Sequence, residues 1–212
     1  MMLPSRFRGY GMEISQEVVE SDLASYLPDL RCRVARALAD YTIEYAPKLR
    51  RVHSKRTKAS LVHDHIVEKM AEFAESTPGV VLRNCQNLWV LTFPQGYIVR
   101  FKKVGPFKLP SGHKTRQVRN FRNHVGLEGL PPAICLDLSY QLDESGDLHG
   151  VYLICPSGTS SNMWDSEITD DGARPIVVSL FGEQIEPQGA TLQPRKRDKI
   201  RESESGDGNS SA

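Results

Sequence analysis

Between Ser76 and Leu127 the chain has no aspartate or glutamate. The same stretch carries nine basic residues: Arg83, Arg100, Lys102, Lys103, Lys108, Lys114, Arg116, Arg119 and Arg122. The following segment, 128–187, lacks the other sign, with Arg174 as its single basic residue against eleven acids that begin at Glu128. Over the full 212 residues, 27 Lys/Arg and 26 Asp/Glu leave a net charge of +1, so total charge selects no class of partner. Its distribution is more informative. A basic block followed by an acidic block either presents a nucleic-acid or bipolar binding surface, or the two blocks face each other.

Other absences narrow the chemistry. There are four cysteines, Cys32, Cys85, Cys135 and Cys155, and no C-x-x-C pair, so a zinc site is not expected. Cys85, Cys135 and Cys155 sit in apolar, strand-like runs, where a thiol behaves as a small core hydrophobe. No apolar run nears the ~18 residues of a membrane span, and no secretory h-region is present. The expectation is a soluble, cytoplasmic protein with no membrane partner. No Rossmann fingerprint, P-loop or G-x-S-x-G frame appears, and no cofactor is expected. The serines of PSGTSSN (156–162) and the nearby Asp147 and His149 are explained by turns.

What is present reads as one domain, about 13–185, after a flexible basic arm (1–12) and before a disordered tail (186–212) rich in Pro, Gly, Ser and mixed charge. Either Met1 or Met12 serves as the start. Met12–Leu27 has a rough helical face and is expected to break at Pro28, with Asp29 as the next N-cap. Leu30, Val34, Leu38, Tyr41 and Tyr45 then recur at helical spacing up to Pro47. A basic connector, KLRRVHSKRTK (48–58), leads to a helix from about Lys55 to Glu75, capped by Ser54 or Thr57. Past Thr77-Pro78-Gly79 the period changes to two. Val80–Arg83, Leu88–Phe93 and Tyr97–Val104 read as an antiparallel meander turning at Gln86-Asn87 and Pro94-Gln95-Gly96. A short helix is expected at Thr115–His124, then a hairpin of Ala133–Leu142 and Leu148–Cys155. Pro156–Asn162 reads as a loop, Met163–Ile168 is ambiguous, and Ile176–Phe181 is a last strand or helix. The fold class is α+β: N-terminal helices packed on a mainly antiparallel sheet of about five strands.

The candidate site is the basic block. In the strand Tyr97–Lys103, Tyr97, Val99 and Phe101 share a face that packs, and Arg100 and Lys102 share the other. With Lys108, Lys114, Arg116, Arg119 and Arg122 they form a phosphate-binding set, to which Gln117 adds a hydrogen bond. His63-Asp64-His65 is not a chelating pair, because positions i and i+2 diverge by about 200° around a helix.

The element order of helix, three strands, helix and strands, with Glu68 on the helix, Lys102 on the third strand and Gln117 on the next helix, resembles the core of the restriction-endonuclease-like (PD-D/E-x-K) nucleases. That resemblance implies a metal-dependent nuclease core. Arg100, however, stands where the carboxylate of E-x-K belongs, and the three strands hold no acid at all, so it implies a degenerate relative. The strings SKRTKASLVHDHIV (54–67), IVRFKK (98–103), YQL (140–142) and CPSG (155–158) also resemble an uncharacterised family of bacterial prophage and mobile-element proteins. This second resemblance implies a setting of phage defence, toxin–antitoxin pairing or regulation. The expectation is a non-enzymatic nucleic-acid-binding or regulatory protein, whose partner is DNA or RNA. The alternatives are a protein-interaction component bound to the product of an adjacent gene, and a diverged metal-dependent nuclease.

Overall fold

The computed structural model describes residues 14–110 and 115–169, and the backbone of 172–174. The expected arm, the tail, the element at 176–181 and Lys114 lie outside these residues. Among the described residues four helices come first: α1 (Gln16–Leu23), α2 (Leu27–Glu44), α3 (Pro47–Val52) and α4 (Lys55–Ser76). The chain breaks at Ala24–Tyr26 and not at Pro28, which occupies the first turn of α2. An N–H is unpaired at that position in any helix, so proline removes nothing there. Asp29 is therefore not a cap; it is a first-turn acid paired with Arg33 at 3.1 Å. Helix α2 buries Leu27, Leu30, Val34, Ala37, Leu38 and Tyr41, the stripe that its spacing predicts. Helix α4 begins as expected at Ser54, whose Oγ accepts the Thr57 N–H at 3.1 Å, and buries Val62, Ile66, Met70 and Phe73.

Among the described residues seven strands follow, six of five or more residues and a short seventh: β1 (Val81–Cys85), β2 (Leu88–Thr92), β3 (Tyr97–Lys103), β4 (Ile134–Leu142), β5 (Leu148–Ser157), β6 (Ser161–Thr169) and β7 (Gly172–Arg174). They lie in sequence order in one sheet. Every neighbouring pair is antiparallel except β3 and β4, which run parallel with Arg100 beside Asp137. The β1–β2 hairpin turns at Gln86 and Asn87, both at positive φ (52° and 64°), as a two-residue type I′ turn requires. The fold is thus α+β with N-terminal helices on a mostly antiparallel sheet, and it gains β6 and β7 beyond the five expected strands. Helix α3 and strand β6 escaped the periodicity. The first buries no residue, and the second is mostly polar and follows Pro156, which β5 absorbs at a shift of register.

The parallel β3–β4 step decides what lies on the far face of the sheet. Parallel neighbours need a long crossover, and this one carries α5 (Arg116–Arg122). Helices α1, α2 and α4 pack on one face against Leu91, Tyr97, Val99, Phe101, Leu136, Leu138 and Leu153. On the opposite face Phe121 of α5 packs against Val90, Ile98 and Cys135. The middle strands are therefore buried on both sides, and each fully buried large apolar side chain contributes about 1.5–3 kcal/mol.

Candidate nucleic-acid interface

The alternation in β3 is as expected, with Tyr97, Val99 and Phe101 inward beneath the helices. Arg100, expected with Lys102 in the phosphate-binding set on the other face, is not available to a ligand. Arg100 is 1% exposed, because α5 closes over its face. Its guanidinium stacks on Phe121 at 4.4 Å and grips Asp137 in a two-pronged pair, Nε to Oδ1 at 2.7 Å and Nη2 to Oδ2 at 2.9 Å. Arg122, also 1% exposed, reaches Asp137 Oδ2 from α5 at 3.2 Å. Its remaining donors clamp the β5–β6 turn: Nε to Gly158 O at 2.6 Å, and Nη2 to Ser161 O at 2.7 Å and Asn162 Oδ1 at 3.0 Å. A buried charge must be paired, and the planar forks of two arginines suit one carboxylate. Here the basic and acidic blocks do face each other.

The other predicted contacts separate. Gln117 donates to Cys85 O at 2.7 Å and ties α5 to β1. Lys108 is pinned, its Nζ 2.8 Å from Gln141 Oε1 and 3.1 Å over the Tyr152 ring. Arg116 and Arg119 are exposed on α5. Lys102 is half-buried and lines a cleft with residues of α4, on the other layer. Glu68, Lys102 and Gln117, which the nuclease resemblance would gather, sit in three different settings, with Glu68 exposed beside His65 at 3.9 Å.

The cations that do converge are mostly ones that sequence reasoning passed over. Between the first turns of α4 and the end of β3 lies a cleft of about 370 Å³ lined by Arg56, Ser60, His63, Asp64, Lys102, Lys103 and Tyr140 among others. A second cleft of about 280 Å³ is lined by Tyr41, Pro47, Arg50, Arg51, Lys58 and Ser145. Burial holds Lys103 below the ordinary lysine pKa, and the fields of Lys58 and Lys55 push it the same way, so the cations around the two clefts act on one another. Burial lowers Lys102 as well, helped by Arg100 and opposed by Asp137. His63 is lowered by burial and then by Lys102, against Asp64. Among the described residues no hydrogen bond or ion pair holds Arg51, Arg56, Lys102 or Lys103. The signal is the density of basic residues in 48–58, the stretch expected to be a connector; α3 buries no residue, so no apolar repeat marks it as a helix.

The first turn of α4 sharpens the electrostatics. It reads Lys55-Arg56-Thr57-Lys58 and has no acid. Cations at the positive end of a helix dipole are unfavourable, and an anion there relieves both the dipole and their mutual repulsion. Elsewhere the groups are quiet. Burial pushes the Cys135 and Cys155 thiols up to about 12, which leaves them poor nucleophiles. His65 turns toward Glu44 and Glu68 while His63 faces the cleft, so the two rings diverge as their spacing predicts. Among the described residues no three His, Cys, Asp or Glu side chains group to hold a metal, and no helix there is long and apolar enough to cross a membrane. The chain matches no family model, no curated protein and no solved structure.

Proposed function

We propose that this chain binds the phosphate backbone of nucleic acid in the cationic clefts between α3, the start of α4 and the end of β3, and does not cut it. The observation that carries this reading is the acid-free first turn of α4, set beside the unpaired Lys102 and Lys103. Phosphate binding needs several cations on one surface, and this surface supplies them from three elements. Arg100, at the position where the resembled nucleases carry a carboxylate, is buried and committed to Asp137, which counts against metal-assisted cleavage there. The resemblance to mobile-element proteins supplies the setting, regulation or phage defence.

The test is binding of DNA and RNA over a salt series. Reversing two exposed cleft cations, Arg56→Glu with Lys103→Glu, is expected to weaken binding at least about tenfold and to flatten the log–log salt slope by about 2. Arg116→Glu with Arg119→Glu, on α5, is expected to change little. No binding at low salt, or an effect confined to the α5 pair, overturns the proposal. One observation favours a protein partner as a second reading: Ile43, Leu49 and Val52 are exposed at 79%, 51% and 76%, beside the basic surface of α3. Co-purification with the product of an adjacent gene, lost in Ile43→Ser with Val52→Ser, would support it.

A further inference from the structure

We infer that the smaller cleft is a subsite for a phosphate monoester at the end of a nucleic-acid strand; the inference rests on the phosphate-binding reading above. Among the described residues, three of the six side chains lining this cleft are cations, Arg50, Arg51 and Lys58, and none is a carboxylate. The larger cleft differs in holding Asp64. The Nε of Arg50 is buried and has no hydrogen-bond partner. A buried donor left unmade is costly, and the guanidinium, which lines the cleft, gains by turning this N–H toward a ligand oxygen. Lys58 is held in place from two sides, its Nζ 3.3 Å from Gly146 O and 5.7 Å from the centre of the Tyr41 ring. Gly146 has φ of +90°, and a side chain there would bring a Cβ within 2.8 Å of that ammonium. Glycine at this β4–β5 turn thus leaves the space that the lysine head occupies.

The ligand chemistry follows from counting charge. An internal phosphodiester offers one negative charge and two free oxygens. A monoester offers nearly two charges and three strong acceptor oxygens. Three cationic side chains, one with an unfilled N–H, match the monoester. Both clefts are lined from the first turns of α4, the larger by Arg56 and the smaller by Lys58, and the inference places the backbone of the strand in the larger and its terminal phosphate in the smaller.

The experiment measures binding of the full chain to short oligonucleotides of one sequence bearing a phosphate at the 5′ end, at the 3′ end or at neither. A nucleoside monophosphate and inorganic phosphate serve as competitors. One of the two phosphorylated strands is expected to bind about tenfold more tightly than the unphosphorylated one, the effect of one charge-assisted contact. Arg50→Lys keeps the charge but removes the Nε donor, and is expected to erase that preference without lowering the melting temperature. If Arg50→Lys does not fold, the exposed Arg51→Gln reports on the same preference. Arg56→Glu is expected to weaken all strands alike and to keep the preference. Equal affinity for all strands overturns the inference and leaves the phosphate-binding reading standing. So does a nucleoside monophosphate that competes as well as the strand, because the cleft would then take a free phosphate ester. Failure of every strand to bind overturns both.

Discussion

Asp137→Asn is the sharpest test of how this fold is held together. Asp137 is fully buried and accepts three hydrogen bonds, at 2.7, 2.9 and 3.2 Å, from two guanidiniums that are themselves 1% exposed. The three groups carry a net charge of +1 inside the protein. Replacing the carboxylate with a near-isosteric amide raises that to +2 and aims an N–H at donors that need acceptors. Removing one partner of a buried pair costs about 3–5 kcal/mol, against a total of about 5–15 kcal/mol for a typical domain. With a urea m-value near 2 kcal/mol/M, the unfolding midpoint should fall by roughly 2 M. Urea denaturation followed by circular dichroism measures it. The double variant Arg100→Met with Asp137→Leu should be less damaging than Asp137→Leu alone by at least about 1 kcal/mol, because one orphaned charge leaves with its partner. In that variant Arg122 keeps Gly158, Ser161 and Asn162 as acceptors. A loss below about 1 kcal/mol in Asp137→Asn would refute the reasoning, since it would mean that water already reaches the cluster.

Three further outcomes are expected. Gln86→Gly should raise stability by about 0.5–1 kcal/mol in the same denaturation assay, because Gln86 sits at φ 52°, where a side chain is strained and glycine is not. Ser139→Ala should raise it by about 1 kcal/mol, since the Ser139 Oγ is buried without a partner and alanine removes the unmet hydroxyl. His124 accepts the Cys135 N–H on Nδ1 at 3.1 Å and so donates from Nε2 to Pro156 O at 2.8 Å, which requires the neutral ring. Burial lowers its pKa, and the opposing pull of Pro156 O and Asp137 does not reverse the direction. Its contribution is therefore complete above the ordinary histidine value of 6.5 and is lost as pH falls below it, when the unfolded chain takes the proton first. Melting temperatures between pH 7.5 and 5.5 should fall less steeply in His124→Gln, with His63, lowered in the same direction, carrying the remainder.

The helices and the meander were legible because each repeats its apolar residues at the period of its backbone: 3.6 for Leu30 to Tyr41 and Val62 to Phe73, and 2 for Tyr97, Val99 and Phe101. The site was misread for a topological reason. Period-two alternation gives two faces but does not say whether the second is covered, and that depends on the parallel β3–β4 step, a long-range fact. One residue did carry the warning. Asp137 lies in the middle of ICLDLSYQL, and a carboxylate flanked by Leu136 and Leu138 in a mostly apolar strand needs a cationic partner nearby. Weighed that way, the absence of acids from 76–127 takes on a different meaning. Two of its nine cations, Arg100 and Arg122, serve one acid supplied from the next segment, and they fasten α5 and the β5–β6 turn to the sheet. The cations free to meet phosphate lie mainly in 50–58, a basic run inside a longer segment, 1–75, whose 12 Lys/Arg and 11 Asp/Glu nearly balance. Folding breaks that balance in space, because the acids of α2 and α4 turn to Arg33, His65 and Lys69 and leave the start of α4 uncompensated.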